Sequence, residues 1–554
     1  MPVFTRKFNP EQDSDLFDPK TGNCSIEYYN ACKDPYRVSG DELPVPWPWI
    51  CGRVSCSADD LFDQLEERIR KVLSDYNITP WIMGAYNKAA RVTPEDARDV
   101  ILIRTRDKCN ISWKKAVSEI YYRIVEPAAA AAGIKTGVEI CNEDKMYMDA
   151  SSFIKDDAVI NAIAKTQPFV LDAVMGHCPG KWTSITYHNR GALHYDSEKK
   201  PTVIIFIRPG AIHAWGELEE KIISAIQSAP FAGEIEIGVE ILPGRLSLTR
   251  PVVGRSLGNS YLGCPPMVPS NGSSIAPSNC TDAAGSLGPV VNYRAAGEEE
   301  DKTCFLTCYN VIASGDPVGK ATNDSRGIGL NGGEVGCKID IEYPSKYDAR
   351  KTRTIELAYL EKKGEAKRDD EVLQRLDEIA ARGPIGRVKF ASGYQLSDNH
   401  HRMDWALVEL NPTLPLQNLL PMVTQFRMQS VYGVPAYRAQ EGDTVSGTNS
   451  IFGSRWYGKV GRTSDCTSAK HGLIKRAIAW DDGMVSHEYE FKAKGLGNRF
   501  ALEGDEGSLV FNLEKEWVGM LIAADRSTDI GFVTPVSELM RDIEETTGGT
   551  ITLV

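Results

Sequence analysis

No stretch of this chain approaches the roughly 20 consecutive apolar residues that a bilayer-spanning helix needs, although hydrophobic residues fill 42% of its 554 positions. A membrane partner is therefore not expected. Also missing is any block of Lys and Arg interleaved with aromatics. With 63 basic and 75 acidic residues the formal charge is −12, a field that repels polyanions, so nucleic acid is excluded as well. The opening Met1-Pro2-Val3-Phe4-Thr5-Arg6-Lys7 is not followed by an apolar core of about 7 to 15 residues, the mark of a secretory signal. A cytoplasmic protein is the expectation.

Histidine is scarce. There are eight, and none lies between His213 and His400. The 13 cysteines are odd in number and dispersed, which favours reduced thiols over a disulfide framework. Cys24, Cys32, Cys51 and Cys56 come nearest to a four-thiolate zinc set, yet they lack the paired short gaps of zinc ribbons. His177, His188, His194 and His213 would have to converge with a carboxylate such as Asp172 to hold a metal. Gly332-Gly333-Glu334-Val335-Gly336-Cys337-Lys338 lacks the Gly-Lys-Ser/Thr ending of a phosphate loop. No metal and no cofactor is expected.

What is present in the first half is a pattern that occurs twice. Trp81 to Tyr86 and Trp182 to Tyr187 share their spacing. Each is followed by a β-branched run ending in arginine, Val100-Ile101-Leu102-Ile103-Arg104 and Ile204-Ile205-Phe206-Ile207-Arg208. Helical stretches begin near Trp113 and Trp215, and both copies close on the same four residues, Gly137-Val138-Glu139-Ile140 and Gly238-Val239-Glu240-Ile241. With amphipathic leaders around Leu61 to Leu73 and Ile160 to Leu171, each copy predicts helix, strand, strand, helix, strand, repeated in register. This assigns residues 1–58 to an N-terminal extension. Residues 59–244 form a duplicated α+β domain, with repeats at about 59–141 and 155–244.

From about Arg250 the composition shifts to Gly, Ser, Pro and Asn with short β-rich runs, as all-β barrels require. Five segments resemble the trypsin-like (chymotrypsin-fold) serine peptidase domains of cytosolic filamentous-fungal proteins: Ser274-Ile275-Ala276-Pro277 with Ala284 to Val291, Cys304 to Ser314, Met403 to Leu410, Val460-Gly461-Arg462-Thr463-Ser464, and Ala501 to Val510. The resemblance implies an all-β double barrel over 250–554, with an inserted helix carrying Val372, Leu376, Ile379 and Ala380 and a closing helix from about Ser537 to Glu545. It places Asn310, Asp404 and Glu506 at the catalytic positions, Gly504 and Glu506 at the oxyanion-binding N–H groups, and Gly461, Arg462 and Thr463 near the specificity pocket.

Two of these three catalytic positions carry the wrong chemistry. An amide at 310 does not titrate near neutrality and cannot act as general base, and the serine nucleophile is replaced by Glu506. The expectation is a catalytically inactive homologue, a pseudoprotease, that binds a peptide or protein. One alternative is a hydrolase with a displaced site using Cys308 with His400 or His401. Another is a structural or signalling scaffold acting through the repeat domain. Glu506 either folds its carboxylate onto nearby backbone donors as a built-in anion or points to solvent.

Overall fold

A computed structural model describes residues 7–10, 16–40, 43–148, 150–191, 199–230, 235–247, 264–332, 336–363, 370–426, 437–453, 456–493, 499–528 and 530–554. The chain forms two compact units. One comprises Met1–Arg245 with Arg476–Gly483, the other Leu246–Lys475 with Met484–Val554. Among the described residues no helix is long and apolar enough to cross a membrane.

In the first unit, helix α1 (Ile26–Lys33) and strands β1 (Arg37–Ser39) and β2 (Trp49–Gly52) precede helix α2 (Cys56–Asp75). Ser55 caps α2 by accepting from the Ala58 N–H at 3.2 Å. Its residues Ala58, Leu61, Leu65, Ile69 and Leu73 recur every three or four positions and are buried, so one face of the helix is committed to a core. Strands β3 (Pro80–Ala90) and β4 (Thr93–Thr105), helix α3 (Trp113–Ile120) and strand β5 (Thr136–Cys141) follow. β4 pairs antiparallel with β3 and parallel with β5. An inner strand covered on both sides reads as a continuous apolar run, which is why Val100 to Ile103 are all buried. The residues assigned by sequence to an extension supply both edges of this sheet, in the order β1-β5-β4-β3-β2.

The second half of the unit repeats the element order. After strand β6 (Ala150–Phe153) come α4 (Asp157–His177), β7 (Trp182–Gly191), β8 (Lys200–Ile207), α5 (Trp215–Ser228) and β9 (Gly238–Pro243). β8 pairs antiparallel with β7 and parallel with β9. The pairing senses match the first half, but the register does not. Tyr86 faces Val100, four residues before Arg104, whereas Tyr187 faces Val203, five residues before Arg208. Arg104 therefore lies inside β4 and Arg208 just beyond β8. β7 has a further neighbour, strand Arg476–Ala479, whose Ala477 faces Ile185.

The second unit is almost wholly antiparallel. Strands β10 (Ser274–Pro277), β11 (Gly285–Ser286), β12 (Val290–Arg294), β13 (Lys302–Thr307), β14 (Asp340–Glu342), β15 (Gly386–Ala391) and β16 (Ala406–Leu410) form one sheet. Its order is β11-β10-β14-β15-β16-β13-β12. Because β11 runs through a short bend into β12, the sheet curls back on itself. Helix α6 (Lys346–Lys363) and helix α7 (Glu371–Arg382) are inserted before β15. Asp370 caps α7, which buries Leu373, Leu376 and Ile379. Leu376 and Ile379 face inward as the sequence predicts, whereas Leu373 replaces the half-buried Val372 and Ala380 is exposed.

Strands β17 (Tyr457–Gly461), β18 (Asp465–His471), β19 (Val485–Ala493), β20 (Leu509–Asn512), β21 (Trp517–Asp525) and β22 (Ile530–Pro535) make a second barrel. Each pairs antiparallel with two others in the cycle β17-β18-β19-β22-β21-β20-β17, which closes it. Closure leaves no exposed edge. Helix α8 (Val536–Thr547) and strand β23 (Thr550–Leu553) finish the chain, β23 pairing with β12.

Candidate functional site

A tight turn ahead of β20 carries the sequence-predicted site. Asp505, Glu506 and Ser508 are all 0% exposed, so each polar group needs a partner. Asp505 has several. Its carboxylate accepts from the N–H groups of Leu502, Thr463 and Ser464 at 2.8, 2.7 and 3.0 Å, from the Ser464 hydroxyl at 2.6 Å and from Lys459 Nζ at 3.0 Å. Burial pushes its pKa up, but the Lys459 charge and the Ser464 hydroxyl outweigh this and hold it below the usual carboxylate value. Lys459, projecting from β17 with no exposed surface, is the fixed counter-ion of the turn.

Two glycines shape the turn. Gly504 has φ +94°, and a Cβ there would sit 2.3 Å from Arg462 Nη1; Gly507 has φ +91° and would press on Thr307 and on the Ser286 carbonyl. The turn is laced to its neighbours through backbone groups. Ser286 N–H donates to the Glu506 carbonyl at 3.0 Å, Ser286 Oγ to the Gly504 carbonyl at 3.1 Å, and Gly507 N–H to the Leu521 carbonyl at 2.8 Å.

Glu506 does not face solvent. Its Oε2 accepts from the Gly504 N–H at 2.7 Å, while Oε1 is buried with no hydrogen-bond partner among the described residues. Burial is the main cause lifting its pKa to about 8, reinforced by the Asp505 charge and opposed by its own N–H and that of Gly504. The group is therefore a mostly protonated acid at neutral pH. The expectation of a built-in anion is corrected on this point: the carboxyl does lie on the backbone donors, but as a neutral group.

Asn310 and Asp404 are in direct contact, the Asn310 N–H donating to Asp404 Oδ1 at 2.8 Å. The Asn310 side chain accepts from the Tyr394 hydroxyl at 3.3 Å, and its Nδ2 is buried with no acceptor among the described residues. Nor does a hydrogen bond join Asn310 to Glu506 among them. Cys308, two residues before Asn310, is buried and feels the charges of both the Asp404 and Glu506 carboxyls. Arg402 stacks on the Tyr394 ring with its guanidinium carbon 4.0 Å from the centroid.

Arg462 and Thr463, predicted near a pocket, are 4% and 7% exposed. Arg462 grips Asp348 through two hydrogen bonds of 2.5 and 2.7 Å, and Thr463 Oγ1 donates to the Glu503 carbonyl at 2.7 Å. At Gly461 a Cβ would meet Asp505 Oδ1 at 2.5 Å. All three support the turn. Lys459 and Tyr394 lie outside the motifs quoted from the sequence, although a lysine in an otherwise apolar strand is a signal that a buried carboxylate lies opposite.

The displaced pair is not assembled. Cys308 Sγ donates to the Leu521 carbonyl at 3.3 Å. Burial above all, then the Asp404 and Glu506 charges, push its pKa well up, so the reactive thiolate is disfavoured. His401 sits between Glu488, 3.0 Å from Nδ1, and Lys475, 2.9 Å from Nε2. His400 packs edge-on against His487. The Ser508 hydroxyl donates back to the Asp505 carbonyl. Among the described residues no three His, Cys, Asp or Glu side chains gather as metal ligands. His194 and residues 333–335 of the glycine-rich stretch lie outside them.

The sequence matches no protein-family model, and no curated protein sequence matches it. Solved structures similar to it include Thermobifida fusca protease A, at 13% identity and TM-score 0.28 over 51% of this chain and 98% of that one. A glutamic acid specific serine protease is similar at 14% identity and TM-score 0.26, over 52% and 100%. Cellulomonas bogoriensis chymotrypsin is similar at 12% identity and TM-score 0.27, over 51% and 97%.

Proposed function

We propose that the second unit is a chymotrypsin-type double barrel that has lost peptide hydrolysis and acts by binding a peptide or protein. The observation that carries this reading is the Glu506 carboxyl on the Gly504 N–H. In a serine peptidase, backbone donors at such a turn stabilise the oxyanion of the tetrahedral intermediate. Here one of them is taken by a side chain of the protein itself, and a substrate carbonyl would have to displace a fully buried group to reach it. Asn310 supplies no base, and Asp404 accepts the Asn310 backbone N–H. The closed antiparallel barrel, the curled sheet before it and the buried Asp505 turn support the same assignment. The duplicated origin of the first unit belongs to this reading too, supported by matching element order and pairing senses in its halves. The alternative of a Cys308/His401 hydrolase has no such support, since the thiol is buried and both imidazole nitrogens are engaged.

The test is reversion. Incubated with a fluorophosphonate probe and a panel of fluorogenic peptides and esters, the native chain is expected to show neither labelling nor turnover. Glu506→Ser and Asn310→His are expected to stay silent singly and to gain labelling at position 506 only in combination, because nucleophile and base act as a unit. Turnover by the native chain that disappears in Cys308→Ala would reject the proposal in favour of the displaced site.

A further inference from the structure

The first unit contains a cavity of about 470 Å³, within the size range of small-molecule sites. Its walls come from α1, the Pro44–Trp47 segment, Tyr147 with Met148, and the facing parts of β7, β8 and β9. The lining is largely apolar, with Trp47, Met148, Val239, Ile241 and Leu242 prominent. The Trp47 indole N–H is buried without an acceptor among the described residues.

The charges in this wall are unequally committed. Lys33 is held by both oxygens of Glu219 at 2.8 Å. Arg37 is held by Glu139 at 2.9 and 3.0 Å and by the Val45 carbonyl. Arg190 donates twice to Glu240, at 3.0 and 2.8 Å. The carboxylates keep capacity in reserve. All donors to Glu240 converge on Oε2, including the Tyr147 hydroxyl at 2.7 Å, and Oε1 receives none among the described residues. The Glu240 side chain is 23% exposed while its partner Arg190 is 3% exposed. Glu27, in the same wall, accepts from the Gly210 N–H through Oε1 alone.

We propose that this cavity binds a small apolar amine, with its ammonium group on Glu240 and its hydrocarbon body against Trp47, Met148 and Leu242. An ammonium ion entering an apolar cavity needs an anionic acceptor to offset lost hydration, and Glu240 Oε1 offers one without breaking an existing bond. An anionic ligand would have to draw Lys33, Arg37 or Arg190 away from carboxylates they already hold, or compete with Glu236, 3.8 Å from Lys200 in the same wall, beside Glu27, Asp34 and Glu240.

The proposal is tested on the full chain with 2-phenylethylamine, 2-phenylethanol and 3-phenylpropionate, followed by tryptophan fluorescence and calorimetry. The amine is expected to bind at least tenfold tighter than the alcohol, with the carboxylate weakest. Glu240→Gln is expected to bring amine and alcohol to parity, and Leu242→Trp, which fills the cavity, to abolish binding of both. Preference for the carboxylate, equal binding of amine and alcohol by the native chain, no binding of any probe, or unchanged binding by Leu242→Trp would overturn it. If Glu240→Gln does not fold, because Arg190 has lost its carboxylate, the native preference and Leu242→Trp decide.

Discussion

The Glu506 carboxyl holds its proton more tightly in the folded protein than in the unfolded chain, at about 8 against an ordinary 4.5. Between those values the native state carries the extra proton. Stability from this group is therefore present at low pH, declines as pH rises through the window, and reaches its full loss above pH 8. The span corresponds to a few kcal/mol, since each unit is about 1.4 kcal/mol. Glu506→Gln keeps the shape and removes the titration. Native and variant chains are expected to differ little near pH 4, with the variant gaining about 2 to 4 kcal/mol relative to the native chain by pH 9. Urea unfolding at several pH values measures this, and a constant difference across the range would count against it.

At the scale of elements, the turn between Leu502 and Ser508 depends on a lysine from a neighbouring strand. Lys459→Met would strand Asp505 as a buried charge, and breaking such pairs costs about 3 to 5 kcal/mol. The hydrogen bonds from Thr463, Ser464 and Leu502 remain, so the lower end of that range is expected. Adding Asp505→Asn should recover most of the loss, since no unpaired charge is then left. A double-mutant cycle by chemical denaturation checks both statements. The turn was legible in sequence because Gly504, Asp505 and Gly507 stand at characteristic spacing. Its counter-ion was not, because Lys459 is 46 residues away along the chain and only the pairing of β17 with β20 brings it close. The two halves of the first unit show the same division. Element order was readable from periodicity, whereas register was not. Irregularities between Pro80 and Ile82 and between Trp182 and Ser184 displace the pairing. Arg104, inside β4, reaches Glu143, whereas Arg208, just beyond β8, reaches Asp481.

For the whole molecule, the two compact units are not consecutive in sequence. The first takes in Arg476–Gly483, an assignment that composition gave no reason to make. Arg476 is buried, donates to Ser184 Oγ at 2.7 Å and lies 4.4 Å from the Phe206 ring centroid. A fragment of residues 1–245 lacks that strand and uncovers the Ser184–Ile185 stretch of β7, the end at 188–191 staying paired with β6, and an uncovered edge can pair with other chains. Hydrogen exchange is expected to show weaker amide protection around Ser184 and Ile185 in the fragment than in the intact chain. Joining 476–483 to the fragment through a short linker should restore it. Equal protection in fragment and full chain would show the strand to be dispensable.

Synthesis runs from the amino terminus, so the sheet containing β7 stays one strand short until the ribosome has passed codon 483, when more than four-fifths of these 554 residues have been joined. The order of manufacture and the order of completion are thus inverted: the unit begun earlier of the two is finished only after most of the other has been made, and a chain terminated prematurely before that codon would release a first unit that cannot be completed.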